Sequence, residues 1–349
     1  VQTLMTLKDR LSSRHNLLNA VRLVFAAMVI LGHAWPLTGA PGHGLEFLSD
    51  VAVNGFFLVS GYLIAESRTR TQFVPYLWRR LLRIYPGFLV SLLVVAAFFA
   101  PLGAHLGGQA FDLRSAASFV LSNSALKITQ WEIDGSLAGA PVDGAWNGSL
   151  WTLFYEAVAY LALGAVLSLA VAVRRARWVL PALTLAVIGL RVLAEGPLEV
   201  TTTLYLNGLR LAGYFLAGAA VWAWADRWRP RLWHVAAAVA AYLVLTNEGW
   251  ADQFGQFPLA VAVLGIGSLP SRAWTTRTDL SYGVYIYAYP VQQLLVMLGT
   301  AAWGVTANIV LTVVLVLPLA FLSWTLVEKP ALRAKGLLDP RVPTSPSPQ

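Results

Sequence analysis

The chain has 349 residues, 57% of them hydrophobic and only 12% charged, with a mean hydropathy of +0.63. A soluble fold of that size could not cover its surface with about half the usual charged share, and 14 Trp, 15 Phe and 12 Tyr exclude disorder. The absence of Cys rules out disulfides, thiolate chemistry and Cys-ligated zinc, while the net charge of +8 falls in short clusters between apolar runs, as in membrane loops rather than a nucleic-acid surface.

A helix needs about 20 apolar residues to cross a bilayer core. That ruler marks ten segments: 17–36, 51–67, 84–103, 149–172, 178–194, 204–225, 232–247, 256–270, 280–299 and 303–327. The expected fold is therefore an all-α, polytopic transmembrane bundle of about ten spanning helices. Residues 1–335 read as one integral membrane domain, and 336–349 as a short Pro/Ser-rich tail without a fold. Leu17 to Ala34 carries Arg22 and His33 and lacks a small-residue cleavage pattern, so it reads as a retained span rather than a signal peptide.

With the N-terminus in the cytoplasm, the alternate connections collect the basic residues. They hold Lys8, Arg10 and Arg14, then Arg68, Arg70, Arg79, Arg80 and Arg83, then Arg174, Arg175 and Arg177. Further along come Arg227, Arg229 and Arg231, then Arg272 and Arg277, and finally Lys329, Arg333, Lys335 and Arg341. The positive-inside rule thus predicts a cytoplasmic (inner) membrane protein with both termini cytoplasmic. The longest connection, Gly103 to Gly148, faces outside. It contains an interfacial helix over Leu113 to Leu126 and a Gly-rich stretch from Gly135, either a plain surface loop or a lid over an acceptor.

Ionisable side chains inside spans are costly and mark function by default. Arg22 and His33 are eleven positions apart in the first span. At about 100° per residue they return to one face, about 16 Å apart along the axis. With Arg22 near the inner surface, the pair suits a long ligand threaded from the cytoplasm, anionic at Arg22 and reactive at His33. The alternative is a snorkelling Arg and a hydrogen-bonded core His.

The fourth span begins Gly148-Ser149-Leu150-Trp151-Thr152-Leu153-Phe154-Tyr155-Glu156, which puts Glu156 about 10 Å below its start and level with His33. A carboxylate that orients an imidazole base is triad logic, so Glu156 is expected to face His33; otherwise the two are unrelated buried polar groups. Asn54, Ser60, Trp151 and Tyr285 are candidates for holding substrate, although small and amide residues also serve ordinary helix packing. Arg79, Arg80 and Arg83, just ahead of Ile84-Tyr85-Pro86, are either inner-face charge or a phosphate clamp, because Arg forks match phosphate oxygens. No metal site and no permanently bound cofactor are expected.

Together these segments resemble the acyltransferase-3 family of ten-span membrane proteins. Arg22 and His33 match its basic residue and His with ten residues between them, and Phe56 to Gly61 matches its Phe-Phe-x-x-Ser-Gly segment. Arg79 to Pro86 matches Arg-Arg-x-x-Arg-Ile-x-Pro, and Ser149 to Glu156 matches Ser-x-Trp-x-Leu-x-x-Glu. Asp279 to Tyr285 matches Asp-x-Ser-Tyr-Gly-x-Tyr, and Ser323 to Pro330 matches Ser-x-x-x-x-Glu-x-Pro. The six blocks come in family order over residues 17 to 333. Two positions depart from it: Asn19 stands where many members have Asp, and Ala288 where many have a second His.

The resemblance implies transfer of an acyl group, commonly acetyl from cytoplasmic acetyl-CoA, to a hydroxyl of an extracytoplasmic glycan or small secreted molecule. It makes His33 the essential His and Arg22 the donor-side cation. Acyl-CoA phosphates would then sit among Arg22, Arg79, Arg80 and Arg83, with His33 as general base or as nucleophile through an acyl-imidazole, and Glu156 assisting. No esterase-like domain lies within the chain, so transfer is direct or uses a separate partner. The lipid bilayer, acyl-CoA and the acceptor are the expected partners. Two rivals stand beside this reading: a proton-coupled transporter with Arg22, His33 and Glu156 as a relay, and a non-catalytic lipid or glycan binder.

Overall fold

The computed structural model describes residues 5–13, 15–271 and 279–339, among which there is no β-strand, only an isolated antiparallel bridge between Asn16 and Pro270. Arg14, Arg272, Arg277 and Arg341 of the expected inner-face set, and the tail from residue 340 onward, lie outside the described residues. The helices are α1 (Leu7–Ser12), α2 (Leu18–Thr38), α3 (Phe47–Thr69), α4 (Phe73–Val94), α5 (Ala100–Leu106), α6 (Leu113–Asn123), α7 (Thr152–Val166) and α8 (Ala170–Arg174). They continue with α9 (Ala176–Glu195), α10 (Thr203–Trp224), α11 (Leu232–Asn247), α12 (Ala251–Phe254), α13 (Gln256–Gly267), α14 (Ser281–Met297), α15 (Val305–Ser323) and α16 (Lys329–Arg333).

Every one of the ten apolar segments is occupied by a helix, but five are long and apolar enough to cross a membrane by those measures alone: Leu18–Thr38, Phe47–Thr69, Phe73–Leu106, Ala176–Glu195 and Val305–Gly336. The others are shorter, such as Thr152–Val166, or more polar, such as α10 and α14 with their Arg, Asn, Gln and Tyr residues. Two of the long helices contain a π turn just before a proline. Val95–Phe99 precedes Pro101, and Trp324–Glu328 precedes Pro330. A wider turn accommodates a residue that has no N–H to donate and whose ring crowds the preceding turn. The helix therefore continues through each proline.

On α15 the pattern of burial is the reverse of a soluble bundle. The buried positions are Asn308, Thr312, Val316, Ala320 and Ser323, while Val310, Val314, Phe321 and Leu322 are exposed. Small and polar side chains face the bundle and large apolar ones face outward, as a lipid solvent requires. Close backbone contact is enforced where α3 meets α10. A Cβ on Gly61 would lie 1.8 Å from the Phe215 carbonyl oxygen, and one on Gly218 would lie 1.9 Å from that of Leu58. In contrast to α15, α14 is buried on all sides, with only Leu294 and Met297 outside the buried set.

The long connection between α5 and α7 has a core of its own. Asp112 caps α6 by accepting from the Arg114 and Ser115 N–H groups, at 2.8 and 3.0 Å. Asn123 then holds the next turn, donating to the Gln130 carbonyl at 2.7 Å and accepting from the Thr129 N–H at 2.8 Å. Trp146 is fully buried and donates to Ser136 Oγ at 2.6 Å. Gln293 of α14 ties the segment down by donating to the Val142 and Ala145 carbonyls, at 2.7 and 2.8 Å. Of the interfacial helix expected over Leu113 to Leu126, the helix is present as α6 and ends at Asn123, and the Gly-rich stretch is docked rather than loose.

Candidate functional site

Five helices, α2, α3, α4, α7 and α14, surround a cavity of about 110 Å³. Helical spacing decides which side chains reach it. From α7 come Thr152, Glu156 and Tyr160, each four residues after the last and hence on one face. From α3 come Val53, Ser60 and Ile64, so the cavity extends over about 16 Å of that helix. Arg22 enters from α2, Arg80 and Arg83 from α4, and Ser281, Tyr282 and Tyr285 from α14.

The Arg22 end is an ion network. Asp279, just before α14, accepts from Arg22 at 2.5 Å and from Arg83. Ser281 Oγ donates to the other Asp279 oxygen at 2.6 Å. Burial alone would raise the Asp279 carboxyl; the Arg22 and Arg83 guanidiniums hold it below the usual carboxylate range. Arg83 also reaches Glu328 at 3.4 Å, and Ser323 donates to that carboxylate at 3.0 Å. Glu328 ends the second π turn, so the widened turn is what carries its side chain inward. Arg83 further lies 5.7 Å from the centre of the Tyr282 ring.

Arg80 is differently placed. It lines the cavity, its one hydrogen bond to a described side chain is a long one of 3.4 Å to Ser67 Oγ, and its buried Nε has no partner. Arg79, one residue earlier, points about 100° away and binds both oxygens of Asp339, at 2.8 and 2.9 Å. The expected cluster of four arginines thus divides: Arg22, Arg80 and Arg83 share the cavity, and Arg79 does not.

Glu156 accepts from Ser60 Oγ at 3.0 Å and from the Tyr160 hydroxyl. His33 does not line this cavity. Its ring stands edge-on to Tyr289 of α14, with centroids 5.1 Å apart, and its buried Nδ1 has no hydrogen-bond partner. No contact joins His33 to Glu156 among the described residues. Glu156 faces α3 from α7, whereas His33 faces α14 from α2, so equal depth did not bring them together.

The four expected substrate contacts also divide. Ser60 and Tyr285 line the cavity, but the Tyr285 hydroxyl is already held by the Ser149 carbonyl at 2.7 Å and Thr152 Oγ1 at 2.6 Å. Asn54 is buried in the bundle with its Oδ1 unpaired, and Trp151 packs edge-on against Tyr155; neither lines the cavity. Asp279 and Glu328 complete the Arg22-end network; both fall in matched family blocks, but sequence reasoning gave neither a role in the site. Their signal is a carboxylate at or near a span end, opposite an arginine cluster.

The comparisons fit this arrangement. A family model described as an acyltransferase domain matches residues 15–327. An O-acetyl transferase of Shigella phage Sf6 is 30% identical over 335 residues, covering 90% of this chain and 96% of that protein. Nodulation protein 10 of Rhizobium leguminosarum bv. viciae is 29% identical over 369 residues, covering 95% and 96%. No solved structure matches. A helical chain with membrane-length apolar helices, a cavity lined in part by charged side chains and a family match over nearly its whole length belongs to the acyltransferase-3 family.

Proposed function

We propose that this protein is an inner-membrane O-acyltransferase that moves an acetyl group from cytoplasmic acyl-CoA to a hydroxyl of an extracytoplasmic glycan or small secreted molecule. The observation that carries the reading is the cavity. It lies between apolar helices, mixes polar and apolar side chains, and has three guanidiniums toward one end, a cationic terminus suited to phosphate. Arg22 and Arg83 are tied to Asp279, which leaves Arg80 as the cation freest to take a donor phosphate. Room for a few water-sized groups suits the slender thioester arm and a short acyl group rather than a fatty chain. The phage relative's name supports an O-acetyl product.

His33 is the proposed general base. It takes the proton of the acceptor hydroxyl while the oxygen bonds to the thioester carbonyl carbon; the C–S bond then breaks and the thiolate leaves with the electron pair. In this scheme both termini and the Arg22 end are cytoplasmic and all ten apolar segments span. The test uses purified protein in detergent micelles. It should consume acetyl-CoA without any ion gradient, and mass spectrometry of surface glycans and secreted metabolites should lose an acetyl group in a deletion strain. Protein that leaves acetyl-CoA untouched, in a host whose acetylation is unchanged by deletion, would sink the proposal.

A further inference from the structure

A second set of charges lies in the bundle, and the cavity does not use it. Arg210 of α10 and Arg191 of α9 have side chains only 6% and 7% exposed. Arg210 donates to Asp50 Oδ1 at 2.8 Å and approaches Asp252 at 3.8 Å. Arg191 bonds Glu195 at 2.6 Å and Asp252 at 3.3 Å. Three carboxylates therefore face two guanidiniums, so one acidic group is in excess. Its most accessible member is Asp50, with a side chain 58% exposed.

Asp50 also stands beside the proposed base. α2 and α3 come close at Gly32, where a Cβ would lie 2.8 Å from both the backbone N and the Cβ of Ser49. His33 and Asp50 are the next residues on those two helices. Glu156, by contrast, is occupied by Ser60 and Tyr160. Val53, which lines the cavity, is one turn from Asp50, about 4.5 Å along α3.

We infer that Asp50, held in place by Arg210, is the positioning residue that stabilises the His33 imidazolium during transfer. The inference rests on the proposed role of His33. While the imidazole carries the acceptor's proton it is a cation, and an adjacent carboxylate favours that state over the neutral ring of the resting enzyme. Such an interaction lowers the barrier without tightening substrate binding. Arg210 fixes Asp50 through their hydrogen bond, and Tyr289 limits the ring from the other helix.

The experiment uses the full chain in detergent, acetyl-CoA as donor and water as acceptor, and reads the released thiol with a disulfide reagent; the chain has no Cys to interfere. Asp50→Asn is expected to lower kcat on the order of tenfold with KM for acetyl-CoA unchanged, and to add nothing in a His33→Ala background. Asp50→Glu, which keeps the charge, should restore most of the turnover and decides the matter if Asp50→Asn folds poorly. Parental kcat in Asp50→Asn, equal losses in Asp50→Asn and Asp50→Glu, or a loss that adds to His33→Ala would overturn this inference alone. Parental turnover in His33→Ala, or a parent protein that releases no thiol, overturns the underlying reading and this inference with it.

Discussion

Arg79 and Arg80 are sequence neighbours with opposite destinations, and the difference is measurable. Arg80→Ala should weaken acetyl-CoA binding, because a charge-assisted phosphate contact is lost, whereas Arg79→Ala should leave donor affinity unchanged and only free Asp339. Isothermal titration of both variants compares them; equal affinities would take Arg80 out of the site. At His33 the expectation is kinetic. His33→Ala should cut transfer by about 100- to 10,000-fold, the worth of a general base, with donor affinity intact. His33→Gln should not recover it, since an amide cannot accept the proton. Much of this was legible in sequence: Arg22, Arg80, Arg83, Ser60, Glu156 and Tyr285 do share one cavity. The partner of His33 was not legible, because depth along a span is fixed by residue count while azimuth between two helices is fixed by packing. The pair Gly32 and Ser49 sets that azimuth, and a glycine beside a serine carries no such message in a sequence.

Among helices, the contact of α3 with α10 offers a direct test of packing. Gly61→Ala pushes a methyl group into the Phe215 carbonyl, so the helices must separate. A loss of about 1–3 kcal/mol is expected, read as a lower thermal midpoint in detergent. Gly189→Ala is the control, for this position of α9 is exposed and nothing lies within 4 Å of the Cβ it would add. A small gain of about 0.5–1 kcal/mol should follow from better helix propensity. Equal midpoints for the two variants would mean that the close approach is unimportant. Element positions were largely readable because apolar runs of membrane length have few alternatives. The π turns were not, although each ends two residues before a proline, since a proline in sequence announces a disturbance but not its form.

For the whole molecule the orientation is the open quantity, and the lack of native Cys makes it easy to test. Gly144 is exposed in the docked connection, has no neighbour within 4 Å of an added Cβ, and lacks a left-handed backbone angle. Gly144→Cys should react with a membrane-impermeant maleimide in intact cells, and Arg175→Cys, at an exposed position before α9, only after permeabilisation. The reverse pattern would invert the proposed topology. The balance of charge between loops gave that expectation without any structure, because it depends on distribution rather than on contacts.

The contrast between α14 and α15 extends to how the protein tolerates change. α14 is enclosed by protein from Ser281 to Gln293, so no azimuth is left for the lipid to forgive. α15 shows the bundle a single stripe from Asn308 to Ser323. In a saturation scan scored by surviving acetylation, α14 should therefore appear as an unbroken band of intolerance with no period. Along α15 the losses should recur about every 3.6 residues, leaving the intervening positions open to almost any apolar side chain.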